Sequence, residues 1–269
     1  MSIITVSRGS YSKGKEIAEK VARKLGYSCI SRDILIEASN EFNIEELKLI
    51  RAIHDSPSFF DKFSLQKEKY IAYIQTAMLK HLQQDNIVYH GLAGHFFVQG
   101  IPHVLKVRII ADISERARLE SEREGIPPAK ALDILTKDDE ERRKWGQHLY
   151  GIDTKDASLY DLVIRINRIT VDHAVDLICD TLRLEEFETT PESQKVLDEM
   201  VAASEVKARL LDLGFDSIVS VREGECRIRV KTKLPQSNTL VREIQSALKD
   251  IPGVGNVNVS TLTVASMTE

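Results

Sequence analysis

The chain has 269 residues, 42% of them hydrophobic and 29% charged, the balance of an ordinary soluble globular protein with room for one large α/β domain or a large and a small one. A net charge of −4 gives no basis for general affinity to nucleic acid or to an acidic membrane surface. Three cysteines (Cys29, Cys179 and Cys226) are odd in number, far apart and without metal-ligand or redox spacing, so each reads as a small buried hydrophobe. The apolar start, Ile3 to Val6, is too short for a signal peptide, and no apolar run approaches the roughly 20 residues that span a bilayer; the expected location is the cytoplasm.

Ile3 to Ser7 is a β-branched run that predicts a buried strand. A turn rich in Gly and Ser follows, and then Ile17, Ala18, Val21, Ala22 and Leu25 recur at helical spacing until Gly26. Tyr27 to Ile30 reads as a second strand, Arg32-Asp33 as the start of a helical region reaching about Gln84, and Asn86 to His90 as a third strand entering the turn Gly91-Leu92-Ala93-Gly94. Val104 to Ala111 is a fourth strand, Ser114 to about Leu149 is helical and charge-rich, Asp161 to Asn167 is a fifth strand, and Thr170 to Leu184 a further helix. Strands alternating with helices predict a parallel sheet covered on both faces, with ligands bound at the carboxyl ends of its strands.

Glu185 to Ser193 is acidic, polar and broken by Pro191, and reads as a linker between residues 1–184 and 194–269. Beyond it, Gln194 to Leu213 is helical, Asp216 to Arg222 and Cys226 to Lys231 form a hairpin across Glu223-Gly224-Glu225, Asn238 to Lys249 is an amphipathic helix, and Val254 to Val264 a final strand. This is a small α+β domain. Arg227, Arg229, Lys231 and Lys233 alternate along one strand face, either a solvated surface or one that meets an anionic partner.

The chemistry lies in GSYSKGKE, Gly9 to Glu16, which carries the spacing Gly-x-x-x-x-Gly-Lys between a strand and a helix. Successive N–H groups there, with the positive end of the helix, would cradle phosphate. Gly9 and Gly14 would permit backbone angles that a β-carbon forbids, Lys15 would reach the outer phosphates, and Ser10 or Ser12 would add hydroxyl donors. Glu16 stands where the motif has Ser or Thr; it either serves the helix dipole or helps hold Mg²⁺ directly or through water.

The stretch ITVSRGSYSKGKEIAEKVARKLGY resembles the opening of the cytidylate kinase-like family, where Ser-Arg precedes the loop and Gly-Lys-Glu closes it. The resemblance extends through Ser31-Arg32-Asp33, IHDSPSFFDKF, GIPHVLKVRIIADISERARLESEREGI, KDDEERRKWGQHLYGID and DASLYDLVIRINRITVDHAVDLI, over roughly residues 1–183. It implies a five-stranded parallel P-loop kinase core with a helical lid and a monophosphate-binding region, using ATP and Mg²⁺ on a nucleoside monophosphate, CMP or dCMP first. It implies nucleotide contact from Arg8, Gly9, Ser10, Ser12, Lys13, Gly14, Lys15 and Glu16. It places Lys137, Arg142 and Arg143 of a lid at 137–144 over the transferring group, and Arg118, with Arg123, against base or phosphate. The alternative for the lid is a solvated helix face, and for Arg118 a pairing with Glu115.

Acceptor recognition falls to Arg32, Asp33 and the helices to about Gln84, with His90, Gly91 and His95 at the turn after the third strand. The two histidines would bind base or phosphate, move a proton, or be ordinary turn residues; no further Cys or His gives them metal spacing. Leu92 stands where many members carry a nucleotide-contacting arginine. In the helix before this strand, Ile71, Ile74, Met78 and Leu82 form a stripe that reads as core, with Tyr70 and Tyr73 beside it. Residues 194–269 resemble a BON domain, through the helix to Leu213, the paired strands and ALKDIPGVGNVNV, which implies binding of a protein partner or a second copy and no catalysis. The second function this organisation admits is a nucleotide-binding regulatory protein with weak or no kinase activity that signals through that module.

Overall fold

The computed structural model describes residues 2–31, 33–45, 48–49, 65–91, 94–232 and 238–263. Arg32, Leu92, Lys233 and the stretch IHDSPSFFDKF therefore lie outside the described residues. By internal contacts the chain forms two compact units that are each discontinuous in sequence. The first runs up to Ile34 and from Gln84 to Ser193; the second takes the described residues between Leu35 and Gln83 and those from Gln194 on.

The first unit is built on five parallel strands: β1 (Ile3–Arg8), β2 (Ser28–Ile30), β3 (Ile87–His90), β4 (Val104–Ala111) and β5 (Leu162–Ile166), in the order β2-β3-β1-β4-β5. β1 is central, pairing Ile3 with both Ile87 and Val104, and Ser7 with Arg108. One face of the sheet (Ile4, Val6, Val88, Leu105, Val107, Ile109, Ile164) packs on α1 (Gly14–Leu25) through Ile17, Ala18, Val21 and Ala22. The same face packs on α7 (Val171–Thr181) through Ala174, Val175, Ile178 and Cys179. These helical residues recur at three- and four-residue spacing, which sets one apolar stripe against the sheet. Gly26, in the left-handed conformation at φ 73°, ends α1 and returns its N–H to the Ala22 carbonyl. Thr170 caps α7, its hydroxyl accepting from the His173 N–H at 3.2 Å.

On the opposite face Ile3, Thr5, Ile87, Tyr89 and Val104 are also buried, as strands covered on both sides require. α2 (Asp33–Phe42), α3 (Leu65–Leu82) and the short α4 (Gly94–Phe97) precede the fourth strand. After it, α5 (Ile113–Glu124) and the long α6 (Pro128–Tyr150) pack through Ala117, Ala131 and Leu135, with Tyr11 of the glycine loop and Ile126 against them. Pro128 begins α6, where its missing N–H costs no helical hydrogen bond.

In the second unit, α8 (Pro191–Asp212) precedes β6 (Ser217–Arg222) and β7 (Glu225–Thr232), an antiparallel pair joined by Glu223-Gly224, both at positive φ as a two-residue hairpin requires. α9 (Asn238–Ala247) leads to β8 (Val257–Thr263), which pairs parallel to β7. Ala202, Val206, Leu210, Cys226, Ile228, Val230, Ile244 and Leu248 form the core. Within the segment read as a linker, Glu185–Phe187 is a turn of 3-10 helix, and α8 begins at Pro191. The stripe of α3 is core as expected, with Ile71, Ile74, Met78 and Leu82 all buried. Ala72 and Tyr73 of that helix cluster with Ala208 and Leu211 of α8; Tyr73 stacks on Phe42 and donates its hydroxyl to Asp212, which also receives Lys69 at 2.7 Å. The exposed row Arg227, Arg229 and Lys231 is partly neutralised, Arg227 by Glu225 at 2.8 Å and Lys231 by Asp216 at 2.7 Å.

Candidate active site

β1 delivers Ser7 and Arg8 to the carboxyl edge of the sheet, and the chain turns through Gly9 to Gly14 into the first turn of α1. The positive φ values of this loop fall on Tyr11 (59°) and Lys13 (66°), and neither Gly9 nor Gly14 adopts one. That corrects the expected role of the glycines, which is close approach. A β-carbon on Gly14 would stand 2.6 Å from Arg8 Cδ, and one on Gly9 would stand 3.0 Å from Arg116 Cζ. Ser12 is buried and closes the loop on itself, its hydroxyl donating to the Gly9 carbonyl at 2.9 Å.

A cavity of about 470 Å³ opens at this edge, a size that suits a small ligand. Its walls come from the end of β1 (Ser7, Arg8, Gly9), Gly91 after β3, the end of β4 (Arg108), α5 (Arg116) and α6 (Arg142). Arg8, Arg108, Arg116, Arg142 and Lys155 face it against Asp138, Asp139 and Glu141, an excess of positive charge fit for a polyanion. Arg116 is 7% exposed and donates through Nε to the Ser10 carbonyl at 2.7 Å; its two terminal nitrogens grip Asp139 at 2.7 and 3.0 Å. Arg142 donates to the Ser10 hydroxyl. Arg8 carries a buried Nε without a partner among the described residues, and burial together with the nearby Arg142 lowers its affinity for its proton. An unpaired buried guanidinium N–H and a cluster of like charges both favour an incoming anion.

The expected site residues divide by position. Arg8, Gly9, Ser12, Gly91, His95 and Arg142 line the cavity, and Ser10 borders it through its bonds to Arg116 and Arg142. Lys15 projects into solvent with Nζ 3.7 Å from Glu19, and Lys13 lies 4.0 Å from Glu16. Glu16 is flanked by Lys13 and, at 3.5 Å, by Lys20. Lys137 is exposed near Glu141, and Arg143 is bound by both oxygens of Glu140 at 2.8 and 2.9 Å. Arg118 is exposed between Glu115 and Glu122, whose hydrogen bonds raise its pKa; it does not line the cavity. Arg123 donates to the Tyr11 hydroxyl at 2.9 Å. Asp33 opens α2 and accepts from the Ser31 N–H at 3.3 Å.

His90 and His95 are buried and neutral at pH 7. Burial, with Arg8 second, pushes His90 down to about 4; burial, with Arg108 second, pushes His95 down to about 3. Neither nitrogen of His95 has a hydrogen-bond partner among the described residues. Its ring lies 5.3 Å from Tyr160, whose hydroxyl accepts from Arg108 at 3.0 Å and donates to the Thr154 carbonyl at 3.1 Å. A group that titrates this low takes up no proton near neutrality, so both imidazoles are neutral there and neither is poised to exchange a proton.

Sequence reading passes over Arg108, Arg116, Asp139 and Lys155. Arg108 had a visible signal: with Lys106 it is one of two charges in the otherwise apolar run of an interior strand, and it lies nearer the carboxyl edge, beside Ser7. Arg116 had none that separated it from Arg118, because the inward face of α5 is set by Ala117 and by contacts to α6 some 20 residues away.

A glycine loop at the carboxyl edge of a five-stranded parallel sheet, entered by arginines from two later helices, defines a kinase of the P-loop type. The chain belongs to the cytidylate kinase-like family, whose profile matches residues 3–168. A cytidylate kinase of Pyrobaculum arsenaticum is 27% identical over 187 residues, 68% of this chain and 95% of that protein. A cytidylate kinase of Sulfolobus acidocaldarius is 23% identical over 176 residues, 65% of this chain and 91% of that one. The crystal structure of an uncharacterized protein from Eubacterium ventriosum superposes with a TM-score of 0.52 at 20% identity, covering 68% of this chain and 98% of that one, which supports the fold. The chain is accordingly a nucleotide kinase, a phosphotransferase.

Proposed function

We propose that the protein transfers a phosphoryl group from ATP to a nucleoside monophosphate, with CMP or dCMP the favoured acceptor. The observation that carries this reading is the convergence of Arg8, Arg108, Arg116, Arg142 and Lys155 on one cavity beside the loop Gly9 to Gly14. Phosphoryl transfer needs charge neutralisation and alignment more than covalent help from the protein, and that is what these side chains supply. Arg116 and Arg142 would contact phosphate oxygens, Arg8 would offer its unpaired Nε–H, and the neutral His95 would exchange hydrogen bonds with a ligand once its ring turns. The preference for cytosine comes from the family and its cytidylate kinase relatives.

Among the described residues no group of three His, Cys, Asp or Glu is placed to hold a metal. The donors fit a Mg²⁺ that arrives with the nucleotide phosphates and needs few protein oxygens, for which Glu16 is the carboxylate beside the loop. When bound, it would neutralise charge on the phosphates. A phosphoryl-transfer assay over CMP, dCMP, UMP and AMP tests the reading; turnover with CMP and dCMP is expected, and no turnover with any acceptor would overturn it. Lys15→Ala should weaken ATP binding by roughly tenfold or more, the usual cost of a lost charged contact, when measured by calorimetry.

The second reading, a nucleotide-responsive regulator acting through the BON-like C-terminal module, is favoured by the Arg116–Asp139 pair already seated on the loop. It requires ATP to change self-association or partner binding, and identical sedimentation with and without ATP would remove it.

A further inference from the structure

The guanidinium of Arg116 lies over Gly9 so closely that its Cζ stands 3.0 Å from where a β-carbon would be. Its Nε–H is spent on the Ser10 carbonyl, and its two terminal nitrogens each donate to one oxygen of Asp139, at 2.7 and 3.0 Å. Two adjacent anionic acceptor oxygens are also what a phosphoryl group presents to an arginine fork. Asp139 sits on α6, one turn before Arg142, which reaches the same loop at the Ser10 hydroxyl and lies 3.8 Å from the Asp139 carboxylate. The arginine side chain is 8% exposed and that of the aspartate 32%, so the pair is nearly dry on the arginine side and open to exchange on the aspartate side.

We propose that Asp139 is a built-in stand-in for phosphate: its carboxylate holds Arg116 over the loop, and nucleotide binds by exchanging a phosphoryl oxygen for it. The proposal rests on the reading of the loop as a nucleotide-phosphate site. The exchange makes Asp139 a determinant of what the site accepts. A polyphosphate outbids one carboxylate for a guanidinium, because it brings more charge and more acceptor oxygens, whereas a nucleoside without phosphate has nothing to offer Arg116. The displaced carboxylate turns away about its own side-chain bonds, since it would stand beside the phosphates as a like charge, while Arg142 one turn on keeps its place at the loop. Nucleotide affinity is thereby held below what the arginines alone would give.

The test is calorimetric titration of the full-length wild type, Asp139→Asn and Asp139→Glu with ATP, inorganic pyrophosphate and adenosine. Asp139→Asn keeps the shape and removes the competing charge, so ATP and pyrophosphate should each bind roughly tenfold more tightly while adenosine is unaffected. Asp139→Glu, which retains the carboxylate, should stay near wild type. Unchanged or weaker pyrophosphate binding by Asp139→Asn would overturn the proposal, and so would an equal gain for adenosine. Should the Asn variant fail to fold, the Nε–H resonance of Arg116 in the wild type decides: it should move on saturation with pyrophosphate, and a resonance that stays in place counts against the exchange. A wild type that binds neither ATP nor pyrophosphate overturns the phosphate-site reading together with the proposal; a wild type that binds both while Asp139→Asn behaves identically overturns the exchange alone.

Discussion

Replacing His95 by leucine isolates the energetic consequence of burying an imidazole in the cavity wall. His95 is 5% exposed, both ring nitrogens lack partners among the described residues, and burial followed by the charge on Arg108 pushes its pKa from 6.5 down to about 3. Because the folded value lies below the unfolded one, the unfolded chain takes up a proton first as pH falls. The stabilising contribution of neutral His95 is complete above about 6.5 and is lost as the pH drops toward 3. At pH 5 the solution is about 1.5 units below the unfolded value, which at about 1.36 kcal/mol per unit gives a loss of ~2 kcal/mol from this residue. Urea denaturation of wild type and His95→Leu at pH 7 and pH 5 measures it, and differences in baseline stability cancel because each protein is compared with itself. The wild type should lose ~2 kcal/mol more than the variant over this interval. Equal losses in both proteins would mean that His95 is protonated in the fold, and the case for a neutral hydrogen-bonding group in the cavity would go with it.

Arg116→Met removes three charge-assisted hydrogen bonds at the loop and should weaken ATP binding by roughly 10- to 100-fold in calorimetry, with wild-type affinity counting against a phosphate contact at this position. Gly14→Ala places a β-carbon 2.6 Å from Arg8 Cδ and 2.7 Å from its Cβ, so the loop must shift. A stability loss of about 1–3 kcal/mol in denaturant titration, with a raised KM for ATP, is expected; an unperturbed variant would show that the close approach is dispensable.

The elements of the first unit were legible because each carries its pattern locally. The run Ile3-Ile4-Thr5-Val6 is a buried strand by composition alone, and Gly26 stops α1 wherever the helix packs. The spacing of Gly9, Gly14 and Lys15, set between that strand and that helix, marked the loop that borders the cavity. Burial of the Ile71, Ile74, Met78 and Leu82 stripe also followed from its period.

Tertiary structure decided which charges meet the loop. Arg116, Arg118 and Arg123 share one helix and one composition, yet only Arg116 enters the cavity, because Ala117 and Leu135 set the rotation of α5 against α6. In the same way Arg142 reaches Ser10 while its neighbour Arg143 is taken up by Glu140. Local sequence fixes the periodicity of a helix, whereas the direction of one side chain depends on packing with residues distant in the chain. The glycines make the same point at shorter range. The sequence placed Gly9 and Gly14 in the loop, but that they are there to admit Arg116 and Arg8, with the strained backbone borne by Tyr11 and Lys13, depends on atoms that only the folded chain brings within 3 Å.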